Sequence, residues 1–182
     1  MTTTDPRTEL VAAAVAHLAQ EQERVARLLD RARAHDAWSV SLPVEQRLEL
    51  VRVGHFPAYS TELDWTPRDV TGHLRDSARI FTERLRRLRD EHDPVLADFV
   101  TDAPDRLSDY RSTPPDLLVA QLRVAQAELL REVADVRGGD LERAGTHEVD
   151  GRVTVADLLA FLPGHQQDHA EQLTALVGRL PG

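Results

Sequence analysis

LDWTPRDVTGHLRDSARIFTERLRRL, Leu63–Leu88, opens on a helix-start signal and then keeps a helical rhythm. Thr66 can accept a hydrogen bond from an orphan amide of the first turn, and Pro67 at the first helical position sacrifices no bond. Asp69 at the third position suits the positive end of the helix dipole. Downstream, Val70, Leu74, Ala78, Phe81, Leu85 and Leu88 recur three or four residues apart and share one face. The stretch reads as an amphipathic helix from Pro67 to about Arg89, with Trp65 ahead of it in the position of a hydrophobic staple.

The same chemistry recurs three times. Asp5-Pro6-Arg7-Thr8, Thr113-Pro114-Pro115-Asp116 and Thr154-Val155-Ala156-Asp157 each begin with a capping side chain. The first cap leads a helix to about His35, apolar at Leu10, Ala14, Leu18, Val25, Leu28, Leu29 and Ala32. The next leads one to about Val136, apolar at Leu118, Leu122, Ala125, Leu129, Val133 and Val136. The last leads Val155 to about Val177, with Leu158, Leu162, Leu173 and Leu176. Four one-faced helices predict an all-α, up-down-type four-helix bundle with long connections, formed by a single domain over residues 1–182.

Three connections punctuate it. Residues 36–65 are too long to lack structure in a compact domain, and a short amphipathic helix near Pro43 to Val51, with Leu48 and Val51, is expected there. Residues 92–112 read as a Pro- and Asp-punctuated crossover. ERAGTHEVDGRVT, Glu142–Thr154, reads as a small hairpin with a type I′ turn at Asp150-Gly151. WTPRDVTGHL and RVTVADLLAFL resemble each other faintly, pairing the second bundle helix with the fourth. No interdomain linker and no low-complexity tract is seen.

Composition narrows the function. The chain carries a formal net charge of −9, and its 22 basic residues are all Arg, scattered among acids rather than lining one face, so no nucleic-acid footprint is present. The Arg-only usage reads as GC-rich coding bias. With no Cys, disulfides, thiolate ligands and a cysteine nucleophile are excluded, so any metal is held by nitrogen and oxygen. The polar start and the lack of a long apolar run predict a cytoplasmic protein without membrane association.

Histidine spacing supplies the chemistry. In FLPGHQQDHAEQL, Phe161–Leu173, His165 and His169 are four apart on the stripe of Leu158, Leu162 and Leu176, so both face the bundle and can converge on one ion. Such a pair alone arises readily by chance among 8 His. His73, beside Val70, Leu74 and Ser77 on the inward face of its own helix, adds a third imidazole. Three inward imidazoles can face Zn²⁺ or another divalent metal and leave positions open for water or substrate. The other candidates have plainer readings: His17 with Glu21 as a polar pair, His55 and His92 as loop residues, and His147 as a residue just before the hairpin turn, with overhang of a pocket as its less favoured alternative. A Ser77–His73 nucleophile lacks an orienting acid.

LDWTPRDVTGHLRDSARIFTERLRRL and THEVDGRVTVADLLAFLPGHQQDHAEQL together resemble the DinB/YfiT-like metal-binding four-helix bundles of bacteria, over about Leu63 to Leu176. The resemblance implies that His73, His165 and His169 are the metal ligands and that the ion is Zn or Ni. It implies an enzyme that transfers a low-molecular-weight thiol, mycothiol-type if the coding bias marks an actinobacterial host, to a small electrophile. The thiol would be a cosubstrate. The alternatives are a metal-dependent hydrolase acting on a small molecule or natural product, or a non-catalytic ligand-binding bundle with a degenerate metal site. Homodimers are common among such bundles. Asp76 and Asp168 stand beside the ligands as candidate proton-handling groups. Pro163 departs from the family pattern, and its ring is expected to clash with the Leu159 carbonyl and kink or break the helix just ahead of His165.

Overall fold

The computed structural model describes residues 5–52 and 60–180. In chain order its elements are α1 (Pro6–Ala34), α2 (Val44–Arg52), a 3-10 turn (Ser60–Asp64), α3 (Pro67–Asp90), β1 (Val95–Leu96), α4 (Pro104–Ser112), α5 (Pro115–Ala134), β2 (Ala144–His147), β3 (Gly151–Thr154) and α6 (Val155–Val177). A second 3-10 turn, Gly138–Asp140, follows α5. The four long helices form the bundle. No helix among the described residues is long and apolar enough to cross a membrane.

The caps explain where the helices begin. Thr66 and Asp69 exchange bonds, Asp69 N–H donating to Thr66 Oγ1 at 3.3 Å and Thr66 N–H to Asp69 Oδ2 at 3.1 Å. Thr154 and Asp157 repeat the arrangement at 3.1 and 2.8 Å, and Asp5 Oδ1 accepts from Arg7 N–H at 3.1 Å. The expected cap at Thr113 is not made. Pro115 forces the residue before it into extended backbone, so Pro114 (ψ 134) precedes the first helical residue, and Thr113 instead closes α4 by donating to Asp109 O at 2.9 Å. The crossover expected over 92–112 contains a helix, α4, which Pro104 starts and the Thr113-Pro114 pair ends.

Side-chain bonds fix the helix directions. Arg24 meets Thr174 and Arg31 meets Gly178 O, so α1 and α6 run the same way. Arg75 meets Gln121 and Arg86 meets Glu132, so α3 and α5 also run together. Arg33 meets Asp116 while Gln22 meets Gln126 O, so these two pairs oppose one another. The four-helix bundle therefore runs up, down, down, up. The parallel pair α3 and α5 needs a crossover, which the connection containing β1 and α4 supplies.

The core comes in two apolar clusters. One holds Leu18, Ala78, Phe81, Leu85, Leu129 and Leu162; the other holds Val25, Leu29, Leu74, Leu122, Ala170 and Leu173. Between the two, in sequence along the helices, fall the buried polar residues Glu21, Ser77, Gln126 and Gln166 and the histidines His165 and His169, while His73 lies just inside the second cluster, between Val70 and Leu74.

Several expectations need correction. Leu10 is 39% exposed and Val11 takes its place in the core, one residue rotating the side chain about 100° around the axis. α2 forms where a short helix is expected, but Leu48 and Val51 are exposed and it buries none of its residues. The hairpin pairs His147 with Gly151, leaving three residues in its loop, and β1 adds a parallel third strand. Only Gly151 (φ 75) has positive φ there, so the turn is not type I′; glycine tolerates that backbone without strain. Pro163 does not break α6, which is helical from Val155 through Val177. Leu158, Leu159 and Leu162 before it, and Ala170 and Leu173 after it, are all buried, so packing holds the helix together although the Leu159 carbonyl loses a partner. His55 lies outside the described residues.

Candidate metal centre and its cavity

α3 and α6 cross antiparallel in the middle of the bundle, and their inward faces bring His73 to His165 and His169. One imidazole nitrogen from each lies within 4.8 Å of the others. His73 Nε2 and His165 Nε2 are 3.0 Å apart. Ligands bound at about 2.0–2.1 Å, the usual distance for imidazole on zinc, subtend about that separation at an angle near 90–100°. His73 and His169 are each 1% exposed, whereas His165 borders a cavity.

The surroundings orient the rings. The Gln172 amide donates to Glu62 O at 2.5 Å, which leaves its oxygen to accept from His169 Nδ1 at 3.0 Å. His169 is thereby held as the Nδ1–H tautomer with its Nε2 lone pair turned to the cluster. Ser77 Oγ lies 3.2 Å from His73 Nε2. Trp65 walls the cluster, its ring centroid 4.9 Å from His73 and 6.2 Å from His169. Beyond its place as a packing anchor with Val70, Trp65 thus excludes water from one side of the site.

Burial keeps all three imidazoles neutral near neutral pH. His73 and His165 are held well below the usual histidine range, mainly by desolvation and secondarily by the neighbouring rings; in His169 burial lowers the value to about 4, opposed by the bond to Gln172. Neutral imidazole is the ligand form. His73 Nδ1 and Glu62 Oε2 are buried without a hydrogen-bond partner, so the cluster is an incompletely satisfied polar pocket in an otherwise apolar layer. Nitrogen-only convergent donors, tautomer control and these orphaned atoms together fit a borderline divalent metal.

Glu62 is the residue that the sequence reading missed. It sits in the 3-10 turn before α3, is 1% exposed, and places Oε2 3.6 Å from His169 Nε2. Burial pushes its carboxyl up to about 7, against a bond from Thr101 that lowers it. No periodicity marks a 3-10 turn, so nothing in the local pattern could have found it.

Beside the cluster opens a cavity of about 430 Å³, bordered by Glu62, His73, Ser77, Phe81, Phe161 and His165 on the inner side. Its outer wall is Arg84 from α3, Asp98, and His147 and Asp150 from the hairpin. His147 is buried and lines this cavity, its Nε2 2.9 Å from Arg84 Nη2 and its Nδ1 3.1 Å from Asp150 Oδ2.

Other candidates fall elsewhere. Asp76 does not reach the histidines; it accepts from Arg75, Arg106 and Tyr110 under α4. Asp168 is half-buried on α6 and is not part of the convergent set. Glu21 reaches the core and pairs with Arg24 at 3.4 Å, while His17 stays half-buried on the flank. His92 is exposed.

Comparison with known proteins agrees with this geometry. No curated protein matches the chain. Among solved structures, YfiT from Bacillus subtilis, described as a probable metal-dependent hydrolase with an unusual four-helix bundle topology, is similar with a TM-score of 0.63 at 17% identity, over 98% of this chain and 90% of that one. The family model of the DinB superfamily matches residues 45–173, from α2 to the last turns of α6. The chain, with its bundle and its three inward histidines, belongs to the DinB superfamily.

Proposed function

We propose that the protein is a metal-dependent enzyme acting on a small electrophile, with His73, His165 and His169 as the ligands of a divalent ion and hydrolysis as its reaction. The single observation carrying this is the convergence of three neutral imidazoles, within 4.8 Å, with two of them, His73 and His165, opening onto a cavity. A zinc or nickel ion bound there lowers the pKa of a coordinated water or thiol toward neutrality and polarises an electrophile. The chain's own groups do the rest. Gln172 fixes the His169 tautomer, Trp65 keeps bulk water from the far side, and Glu62 Oε2, buried and without a partner, receives the proton released when the nucleophile forms. The description of YfiT as a probable metal-dependent hydrolase supports the hydrolytic reading.

Transfer of a low-molecular-weight thiol of the mycothiol type is the second reading. It is favoured by the absence of cysteine, which leaves the cavity's nucleophile to come from outside the chain, and by a cavity of about 430 Å³, which has room for more than one small reactant. The test is metal content of the untagged protein, followed by loss of a bromobimane-type electrophile with and without added thiol. One equivalent of metal, lost in His73→Ala, is expected. Substoichiometric metal after zinc and nickel supplementation would overturn the metal-dependent reading. Thiol-dependent turnover would decide for transfer, and thiol-independent turnover for hydrolysis.

A further inference from the structure

Arg84 is an unusual arginine for this chain. Most of its arginines lie against carboxylates, as Arg75 does with Asp76 and Asp109 or Arg111 with Asp69. Arg84 has no carboxylate within ion-pair distance among the described residues, yet it is half-buried in the wall of the cavity. Its position is fixed at one end only. Nη2 donates to Ala97 O at 2.6 Å and lies 2.9 Å from His147 Nε2, and the guanidinium lies 5.4 Å over the Phe81 ring. Nε and Nη1 have no acceptor among the described residues. His147 stands beside the guanidinium, its own ring held at Nδ1 by the backbone N–H groups of Val149 and Asp150 at 3.3 and 3.2 Å.

The placement relates this cation to the metal centre. Arg84 follows His73 by eleven residues on α3, about three turns. Phe81 lies between, its ring centroid 6.2 Å from that of His165. A molecule in the cavity therefore meets the imidazoles of His73 and His165 at one end, a phenyl ring midway and a prepositioned cation at the other. Burial lowers the Arg84 pKa, with Asp98, Asp150 and Glu83 opposing from beyond contact distance, so the charge is only partly compensated. Those acids also set the kind of anion admitted: a phosphate dianion would face Asp98 and Asp150, whereas a singly charged carboxylate adds one negative charge next to one positive.

Resting on the proposed metal-dependent function, we propose that Arg84, held by the Ala97 carbonyl and the Phe81 ring, is a specificity-determining residue that binds a carboxylate on the substrate, so that the substrates are small electrophiles carrying a carboxylate tail a few bonds from the reacting group. The aromatic midsection packs the connecting chain.

Two arms test this. In metal-free protein, propionate is titrated while the ¹⁵N-Hε signal of Arg84 is followed by NMR, the signal being identified by its loss in Arg84→Met. In cobalt-loaded protein, α,ω-dicarboxylates from malonate to adipate are titrated by calorimetry and by the cobalt absorption spectrum. The expected results are a saturable shift of the Arg84 signal, and a dicarboxylate that binds at least tenfold more tightly than propionate. In Arg84→Met that advantage falls below twofold while cobalt affinity is unchanged; Arg84→Lys, which keeps the charge without the fork, retains part of it. No saturable shift at Arg84 overturns the proposal, as does a dicarboxylate advantage that survives in Arg84→Met with a native amide spectrum. A protein that binds no cobalt yet shows the saturable shift upholds the carboxylate site and sinks the metal reading alone.

Discussion

Gly72→Ala and Gly164→Ala are the same chemical change in two helix interiors, and the structure predicts opposite outcomes. Helix propensity alone makes either substitution stabilising by about 1 kcal/mol. At Gly164 a new methyl meets nothing within 4 Å, so that gain should appear in full. At Gly72 the methyl would lie 2.2 and 2.3 Å from two Tyr110 ring atoms, where ordinary contact begins at 3.4 Å. Tyr110 cannot yield. It is fully buried, its hydroxyl donates to Asp76 at 3.0 Å, and α4 is tied down by Arg111 on Asp69 at 2.9 Å and Arg75 on Asp109 at 2.7 Å. Forcing a shift of more than an ångström belongs at the upper end of overpacking costs, about 3 kcal/mol, which leaves a net loss of about 2 kcal/mol after the helix gain. In urea denaturation Gly72→Ala should lower stability by that amount at unchanged m-value, and for a chain of this size lower Tm by roughly 4–8 °C. In a Tyr110→Ala background the same substitution should revert to a gain of about 1 kcal/mol, a coupling of about 3 kcal/mol. A Gly72→Ala protein as stable as its parent would refute the packing of α4 on α3.

Three further outcomes follow from particular bonds. Asp157 accepts from Thr154 N–H and Oγ1–H at 2.8 and 2.6 Å, which holds its carboxyl below the usual range; its contribution to stability is therefore present above the unfolded-state pKa of about 4 and lost as pH falls through the lower folded value, and an NMR titration giving an ordinary or raised pKa would contradict the cap. Glu62→Gln should reduce kcat by about 10²–10⁴-fold with metal affinity kept within a few-fold, as removal of a proton acceptor does; loss of metal affinity with unchanged kcat would instead make it a ligand support. Pro163→Ala restores a donor to the Leu159 carbonyl and should stabilise the protein by about 1 kcal/mol in thermal or urea unfolding without altering metal affinity, since α6 is already in helical phase on both sides; a weakened site would show that the proline shapes it.

The sequence was most legible where a local rule acts alone. Thr66 and Thr154 form their capping boxes, and four periodic stripes pack as four helices, because capping and one-sided burial need only neighbours a turn apart. Thr113 failed because a second proline overrode the capping preference of the first residue. Pro163 failed in the other direction, tertiary burial of both flanks outweighing a local helix breaker. α4 went unread since its helix has a single buried residue, Tyr110, and so carries no stripe. The histidine trio was found from phase on two helices, but Glu62 and Arg84 were not: one lies in a 3-10 turn without period, and the other takes its meaning from the absence of a carboxylate partner, which only three dimensions can show.

The position of the site was nevertheless written into the stripes as interruptions. Glu21 on α1, Ser77 on α3, Gln126 on α5 and Gln166 on α6 are all buried, and each falls along its helix between residues of the two apolar clusters. One polar residue inside an apolar stripe is common; one on each of four helices at corresponding heights is a layer. Burying such groups costs free energy unless they are bonded, and Gln126 Nε2, Gln166 Nε2, His73 Nδ1 and Glu62 Oε2 have no partner. A bundle selected for stability alone would fill that layer with leucine. On the metal reading proposed above, the layer's lone pairs are there for an ion, so saturating zinc or nickel should raise Tm by mass action, and an unchanged Tm with both would count against that reading.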